Sequence, residues 1–455
     1  MKKHLFRSIL LAFVLASIVL PASADNLASL INTAMDRNLK LKISDMEIEQ
    51  SLIDQKTALN SLIPDLSFQA TRSHTTFKDN YQKKSPASID STLIYSFKLT
   101  QSYPGLGRIP MMQREITRLK TQVRETVYEN QKIQMLRQLC KVFFQLVREQ
   151  ELVKVHKTDL LLIAELMKVA KLNEEVGLVL KNDVLRIEVE QLNSQSNLVK
   201  NENGFRDLEF DLAAILDYDQ LAELKLELPH GLKFPTGSFS TEMLLPVLYE
   251  KDNDIRLAKL DAEILKKVEK SARSANLPTL TFDGSYNYGD KIGPINNTKD
   301  IKAAFILTTP VYNGNDIENA VRMANKSRQI AELKIQDLMN LKKATLEKAV
   351  ADYNEALART TFSEKMVEQS YENMRIVFTR YQEGASSIVE LVDAQRILTN
   401  SAQTAIKNFY DERERLCEIL LLTHDFDTLK NLDQNPFPLN FDFLLKQLNI
   451  NIGEN

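Results

Sequence analysis

The sequence YQEGASSIVELVDAQ, from Tyr381 to Gln395, interrupts a long helical pattern. In it a helical pattern reaches Gly384, passes through two serines and begins again with two acidic residues. Residues 174–188, EEVGLVLKNDVLRIE, repeat this design around Gly177, 207 positions earlier. Because glycine readily adopts the left-handed conformation that ends a helix, each stretch predicts the turn of an antiparallel helical hairpin.

Two long spans without glycine, 108–176 and 315–383, precede these turns. The one proline in them, Pro110, stands in an opening turn, where proline is tolerated. Apolar residues recur at helical spacing, as in Leu136, Leu139, Phe143, Leu146 and in Leu346, Val350, Tyr353, Leu357. A helix of this length extends about 100 Å, so the spans predict an elongated, coiled-coil-like structure. A return helix is expected after each glycine, at about 181–216 and 387–422.

Alternating apolar and polar residues precede each long helix. The alternation predicts four strands of about ten residues, at about 64–74, 92–101, 278–288 and 301–310. Each strand has one apolar and one polar face, which is the pattern of outer-membrane barrel strands. A four-stranded sheet packed on helices in a soluble protein has the same alternation and remains the alternative.

Four strands cannot close a barrel, and lipid does not tolerate an open strand edge. If the strands enter a membrane, the chain is therefore expected to form an oligomer. Three chains give a closed barrel of twelve strands, and four chains would also close one.

The N-terminal residues 1–24 have the layout of an export signal. Basic residues precede the apolar run Ile9–Leu20, and the small residues Ala22 and Ala24 follow Pro21. We expect cleavage after Ala24. The alternative, an uncleaved anchor, is disfavoured because the run is too short to span a bilayer as a helix.

Composition excludes several classes of protein. The 58 Lys and Arg residues nearly balance the 61 Asp and Glu residues, so there is no electrostatic case for binding nucleic acid. The five histidines lack metal-ligand spacing, and neither a phosphate loop nor a nucleophile elbow is present. The sequence predicts no enzyme, cofactor or resident metal.

Cys140 and Cys417 lie inside helical patterns, where buried or unpaired thiols are expected. A disulfide between them is the alternative.

The layout resembles the TolC-type outer-membrane efflux proteins, the outer-membrane factor family. TPVYNGNDIENAVRMA, residues 309–324, is similar to that family's junction between strand and long helix, and QSYPGLGRIPMMQREI, residues 101–116, is a looser copy. The stretch 381–395 is similar to the family's hairpin turn. The resemblance implies a mixed β-barrel and α-helical barrel, in which a homotrimer closes a 12-stranded outer-membrane barrel and a 12-helix periplasmic tunnel.

The resemblance also divides the chain. After the signal, repeat 1 covers 25–216 and repeat 2 covers 244–424, each built as short helix, β-hairpin, long helix and return helix. Leu27 to Leu59 and Leu244 to Val268 are the expected short helical parts. Residues 217–243 form a connecting, equatorial segment, and 425–455 an equatorial or partly disordered tail.

Glu390 and Asp393 are the candidate pore constriction. They stand three apart on one helix face, and in the related family the matching acids line the narrowest part of the tunnel. Three copies of each would crowd carboxylates around one axis and favour bound cations. A capping box, in which Ser387 caps the helix and Glu390 bonds back, is the alternative for Glu390.

Tyr381 and Asp183 match the family's gate latch, which links neighbouring hairpins at the closed tip. Ser386 replaces an arginine that often completes the latch, so a salt bridge in the gate is in doubt. The turns at Gly177 and Gly384, with Ser386 and Ser387, are the expected docking surface for an adaptor.

The implied function is an outer-membrane channel that extends into the periplasm. It would serve as the exit duct of a tripartite efflux pump or a type I secretion system, passive and gated at its tip. Expected partners are outer-membrane lipid, a periplasmic adaptor (membrane fusion) protein and an inner-membrane transporter of the RND, ABC or MFS class. An exported coiled-coil scaffold or adaptor without a pore is the competing hypothesis.

Overall fold

The structure is a computed structural model that describes residues 27–77, 88–177, 179–217, 232–233, 239–292, 298–430 and 433–434. The expected export signal lies outside the described residues, as do most of the connecting segment and of the tail.

Two very long helices dominate the described part of the chain. The helices are α1 (Leu27–Arg37), α2 (Leu39–Asn60), α3 (Arg108–Glu175), α4 (Lys181–Leu216), α5 (Thr241–Lys251), α6 (Asn253–Ser274), α7 (Asp316–Gln382), α8 (Ile388–Leu422) and α9 (Phe426–Lys430). The strands are β1 (Asp65–Phe77), β2 (Ser88–Tyr103), β3 (Leu232–Lys233), β4 (Thr279–Ile292), β5 (Thr298–Thr308) and β6 (Asp433–Gln434). With 68 and 67 residues, α3 and α7 fill the two spans that lack glycine.

The two short helical segments are each divided. Leu27 to Leu59 becomes α1 and α2, which separate at Asn38, and the second segment becomes α5 and α6, which separate at Asp252. Asp252 caps α6, because its carboxylate accepts a hydrogen bond from the backbone N–H of Ile255 at 2.9 Å.

The described residues divide into two compact units. One contains the residues up to Leu39, Lys132–Lys251 and those from Lys343 onward, and the other contains Lys40–Gln131 and Asp252–Lys342. Each unit therefore draws on both sequence repeats.

The second unit holds a four-stranded antiparallel sheet in the order β1-β2-β4-β5. Its strands have 13, 16, 14 and 11 residues, so the expected length of about ten residues was too short. The backbone ladder continues where the apolar pattern stops, because ladder hydrogen bonds do not require apolar side chains. Phe77, for example, still pairs with Ser88.

The core of the first unit lies among the long helices. It contains fully buried side chains from α3, α4, α7 and α8, namely Leu139, Leu146, Leu162, Leu212, Leu216, Tyr353, Leu391, Leu398 and Leu416. In the tail, Asp433 and Gln434 pair with Leu232 and Lys233 of the connecting segment in a small sheet. These tail residues thus have regular structure, which the sequence pattern did not predict. Among the described residues, none of the helices has an apolar run that could span a bilayer.

Candidate functional site

The turn of the second hairpin, between α7 and α8, is closed by backbone hydrogen bonds. The N–H of Ala385 donates to the carbonyl of Arg380 at 2.8 Å, and that of Gly384 to the carbonyl of Tyr381 at 3.1 Å. This is the Schellman pattern, and Gly384 has the positive φ of 72° that it needs. In the first hairpin, α3 and α4, Gly177 has a φ of 77°. Both glycines thus end the helices that the sequence predicted them to end.

The restart of α8 contains half of the capping box that was the alternative prediction for Glu390. The Ser387 hydroxyl accepts a hydrogen bond from the backbone N–H of Glu390 at 3.3 Å, so Ser387 is the cap. The Glu390 carboxylate does not complete the box. It accepts from the hydroxyl of Ser386 instead, because that side chain offers a donor beside the cap. In the first hairpin, Leu180 occupies the cap position and makes no side-chain cap.

Asp393 forms an ion pair that was not predicted from the sequence. Arg396 Nη2 donates to Asp393 Oδ1 at 2.5 Å, and this hydrogen bond raises the pKa of Arg396 above its ordinary value. The side chains are 58% and 50% exposed, so the pair contributes little to stability. It does change the charge at the turn, because Arg396 offsets the negative charge of Asp393 while Glu390 has a neutral partner. The spacing of three residues on one helix was the available signal.

A groove of about 470 Å³ lies between α4 and α8 next to the turns. It brings Asp183 and Asp393, two of the predicted site residues, to one surface. Charged side chains line both walls: Asp183, Arg186 and Glu190 on α4, and Asp393 and Arg396 on α8.

Tyr381, the other predicted latch residue, has a partner within its own chain. Its hydroxyl accepts a hydrogen bond from Asn173 Nδ2 at 3.2 Å, which ties the end of α7 to the end of α3. Asp183 lies at the start of α4, where its backbone N–H donates to the carbonyl of Leu180 at 2.9 Å. The latch between neighbouring chains stays a prediction.

Behind the turns, a buried carboxylate connects three of the four hairpin helices. Asp159 of α3 is 2% exposed. It accepts hydrogen bonds from Ser194 of α4 at 2.7 Å and from Thr399 of α8 at 2.6 Å, and a further one from Gln395 of α8. A buried charge needs such donors to offset its lost hydration. Gln395, the last residue of the stretch 381–395, therefore has a structural role.

His156 lies one turn before Asp159 and is also buried. Burial lowers its pKa, and the charge of Lys407 lowers it further, while the Asp159 carboxylate acts in the opposite direction. Its Nδ1 has no hydrogen-bond partner among the described residues. In the described part of the chain, no group of three His, Cys, Asp or Glu side chains is arranged to hold a metal ion.

The sheet of the second unit presents two chemically different faces. Phe68, Phe97, Tyr286 and Ile301 stand opposite one another across all four strands and are 58%, 48%, 40% and 79% exposed. The row beside them on the other face is polar and contains Ser67, Lys98, Ser285 and Lys302. Lys98 donates to Gln69 at 2.8 Å on this face. The apolar face thus lacks a cover from the described parts of its own chain.

Comparisons with known proteins agree with these features. Residues 244–418 match the family model described as outer membrane efflux protein. The chain is 20% identical to outer membrane protein TolC of Vibrio cholerae over 430 residues, which cover 90% of this chain and 92% of that protein.

Solved structures share the fold. The outer membrane protein VceC of Vibrio cholerae aligns with a TM-score of 0.72 at 15% identity, covering 88% of this chain and 95% of VceC. The CmeC outer membrane channel of Campylobacter jejuni aligns with a TM-score of 0.75 at 15% identity, covering 94% of this chain and 90% of CmeC. The resemblance that the sequence motifs indicated is thus confirmed: residues 244–418 match the outer membrane efflux protein family, and the chain is similar to TolC and shares the fold of outer-membrane channels.

Proposed function

We propose that this chain is an outer-membrane efflux protein that extends into the periplasm, and that it is the exit duct of a tripartite efflux pump or of a type I secretion system. Three copies form the duct, and the hairpin turns at Gly177 and Gly384 form its periplasmic tip. The channel is passive, so a transporter in the inner membrane supplies the energy. The N-terminal residues 1–24 act as the export signal of the chain, and the two sequence repeats, 25–216 and 244–424, build equivalent parts of the duct.

The observation that carries the proposal is the exposed apolar row Phe68, Phe97, Tyr286 and Ile301. In a soluble sheet packed on helices, this row would be covered. Large apolar side chains that stay exposed on one sheet face suit contact with lipid, while the polar row that contains Lys98 suits a water-filled interior.

The sheet also supports assembly. Its outer strands, β1 and β5, each pair on one side only within the described chain. In lipid these open edges would leave backbone groups without hydrogen bonds, so they favour pairing with further copies. Three copies of the sheet close a barrel of twelve strands.

At the tip, a periplasmic adaptor protein docks at the hairpin turns of Gly177 and Gly384, with Ser386 and Ser387. The pair Glu390 and Asp393 forms the constriction in this proposal, and cations bind there transiently.

The test compares two arginine substitutions on β2. Phe97→Arg places a charge on the apolar face, where lipid contact would make it cost about 2–4 kcal/mol at the bilayer midplane. Thr100→Arg places the same charge on the polar face, where we expect no loss. Outer-membrane fractions are assayed for a detergent-extracted oligomer that dissociates on heating. The proposal predicts that Phe97→Arg alone reduces this oligomer.

A pore-free periplasmic scaffold is the second candidate, supported by the long helices but not by the exposed apolar row. For a scaffold, the wild type would be extracted without detergent, and neither substitution would change its fractionation. That pair of results would rule out the duct.

A further inference from the structure

The two cysteines of the chain lie together in the interior of the first unit. Cys140 on α3 and Cys417 on α8 are each 2% exposed, and their thiols are joined by a hydrogen bond. Both are reduced in the structure. A cavity of about 180 Å³ reaches both side chains, and its other lining residues include Arg137, Lys141, Glu414 and Glu418.

The helices that carry the cysteines are also held together without a covalent bond. Arg137 Nε, one turn before Cys140, lies 2.9 Å from Glu418 Oε2, next to Cys417. The apolar core side chains Leu136 and Leu416 stand beside the same cysteines and are 2% and 0% exposed. This packing keeps the two sulfur atoms adjacent in the reduced protein. Because it needs no covalent bond, we expect the serine variants to fold.

We propose that Cys140 and Cys417 form a disulfide in the exported protein, which joins the long helix of the first hairpin covalently to the return helix of the second. The proposal rests on the location of these helices in the periplasm, where disulfides form and persist. It concerns a cross-link within one chain, so it does not depend on the number of chains in the oligomer or on the presence of a pore.

The oxidant is a protein disulfide donor of the periplasm, a thiol-disulfide exchange catalyst. The thiolate of one cysteine attacks a sulfur of the donor disulfide, and the donor's other sulfur leaves as a thiolate. The second cysteine then attacks the mixed disulfide, which forms the Cys140–Cys417 bond and releases the donor as a dithiol. The chain loses two electrons to the donor and two protons to solvent or to the departing thiolates.

The environment of Cys417 places this reaction early in folding. The hydrogen bond with Cys140, then burial, raise the pKa of the Cys417 thiol well above its ordinary value. The thiolate is the reactive form, so it is scarce once the helices have packed. We expect the donor to react before the two hairpins close on each other, and the folded, reduced protein to react slowly.

The test is thiol labelling of the full-length chain isolated from outer membranes. The sample is quenched in acid, denatured and treated with N-ethylmaleimide before and after reduction, and its peptides are identified by mass spectrometry. We expect no label at either cysteine before reduction, a label at both after it, and a linked peptide pair lighter by two hydrogen atoms than its reduced components. Cys140→Ser and Cys417→Ser should each label at the remaining cysteine without reduction.

If both cysteines are labelled in unreduced protein from the outer membrane, the proposed disulfide is wrong. This result would not affect the proposed function as a duct. A chain found only in the cytoplasm, with both thiols labelled, would overturn the location and the cross-link together. Thermal melting gives an independent readout. Reduction should lower the Tm of the wild type and leave the double serine variant unchanged, whereas an equal response of the two proteins would contradict the proposal.

Discussion

Thr399 Oγ1 lies 2.6 Å from Asp159 Oδ1, so the return helix of the second hairpin donates directly to a buried carboxylate on the long helix of the first. Gln395 donates to the same oxygen, and Ser194 donates to the other oxygen from α4. The two hairpins of the chain are thereby held in one lateral arrangement behind their turns. A polar cluster of this kind specifies which helix faces meet, since any other arrangement would leave a buried charge without donors.

Replacement of Asp159 should therefore destabilise the hairpins. Asp159→Asn replaces one of the two acceptor oxygens by an amide NH2 group that faces other donors, and we expect a loss of about 1.5–3 kcal/mol in the free energy of unfolding. Urea unfolding of the detergent-solubilised protein measures it. Glu188→Gln, which neutralises an exposed acid on α4, is the control and should change little. Equal stability of the two variants would show that Asp159 does not hold the helices together.

Asp159 was not predicted from the sequence as a site residue, although its position offered a signal. Together with His156, Asp159 continues the buried stripe of Ile163 and Leu166 along one face of α3. An ionisable residue within an apolar stripe indicates a buried partner, but a pattern of spacing cannot say which donors on other helices meet it. Gln395 was part of the quoted turn motif, and its contact with Asp159 depends on how α8 packs.

The elements that could be predicted from the sequence are those that depend on residues close together along the chain. Gly177 and Gly384 end their helices through a local left-handed backbone conformation, and the period of the apolar residues indicated the type of each long helix and strand. The order β1-β2-β4-β5 and the pair β3 and β6 were not predictable. Both depend on contacts between distant residues, and strands of two residues have no detectable period.

The left-handed backbone conformation at Gly384 should lower the free energy of unfolding when another residue replaces the glycine. Nothing stands within 4 Å of a Cβ added at Gly384, so Gly384→Ala tests the backbone alone. We expect it to lower the free energy of unfolding by about 1–2 kcal/mol. Gly204→Ala is the matched control, because its helical glycine has room for a methyl group and alanine should stabilise it by about 0.5–1 kcal/mol. Opposite signs for the two variants are the expected result.

The lowered pKa of Glu269 predicts that the second unit loses stability in acid. Hydrogen bonds from Arg273, then Asn325, and from Arg328 hold the pKa of this carboxyl at about 2, below its ordinary value of 4.5. Because the folded pKa is the lower one, the stabilisation is fully present above pH 4.5 and disappears as the pH falls towards 2. The Tm difference between wild type and Glu269→Gln should therefore shrink over this range.

Glu318→Gln is the control for this measurement. Glu318 also accepts from an arginine, Arg322, at 2.7 Å, but both side chains are well exposed. Its substitution should change the Tm little at any pH. A wild-type advantage over Glu269→Gln that stayed constant down to pH 2 would contradict the lowered pKa.

Tyr381 and Asp183 allow the gate latch to be separated from packing within one chain. If the Tyr381 hydroxyl also restrains a neighbouring chain through Asp183, Tyr381→Phe with Asp183→Asn should increase the open fraction of the channel. Asn173→Ala removes only the partner within the chain. A double variant that conducts no differently from Asn173→Ala would restrict Tyr381 to packing of its own hairpins.

Single-channel conductance of the purified oligomer in a planar bilayer shows whether the protein forms a pore with an acidic constriction. The comparison is wild type against Glu390→Gln with Asp393→Asn, with Glu318→Gln as the control. We predict small, cation-selective steps that divalent ions block, and a loss of this block in the double variant only. If the steps and their block are unchanged in the double variant, the protein is a channel without the proposed acidic constriction. Glu390 would then act only in helix capping. A well-folded oligomer that shows no steps under any condition would contradict the account.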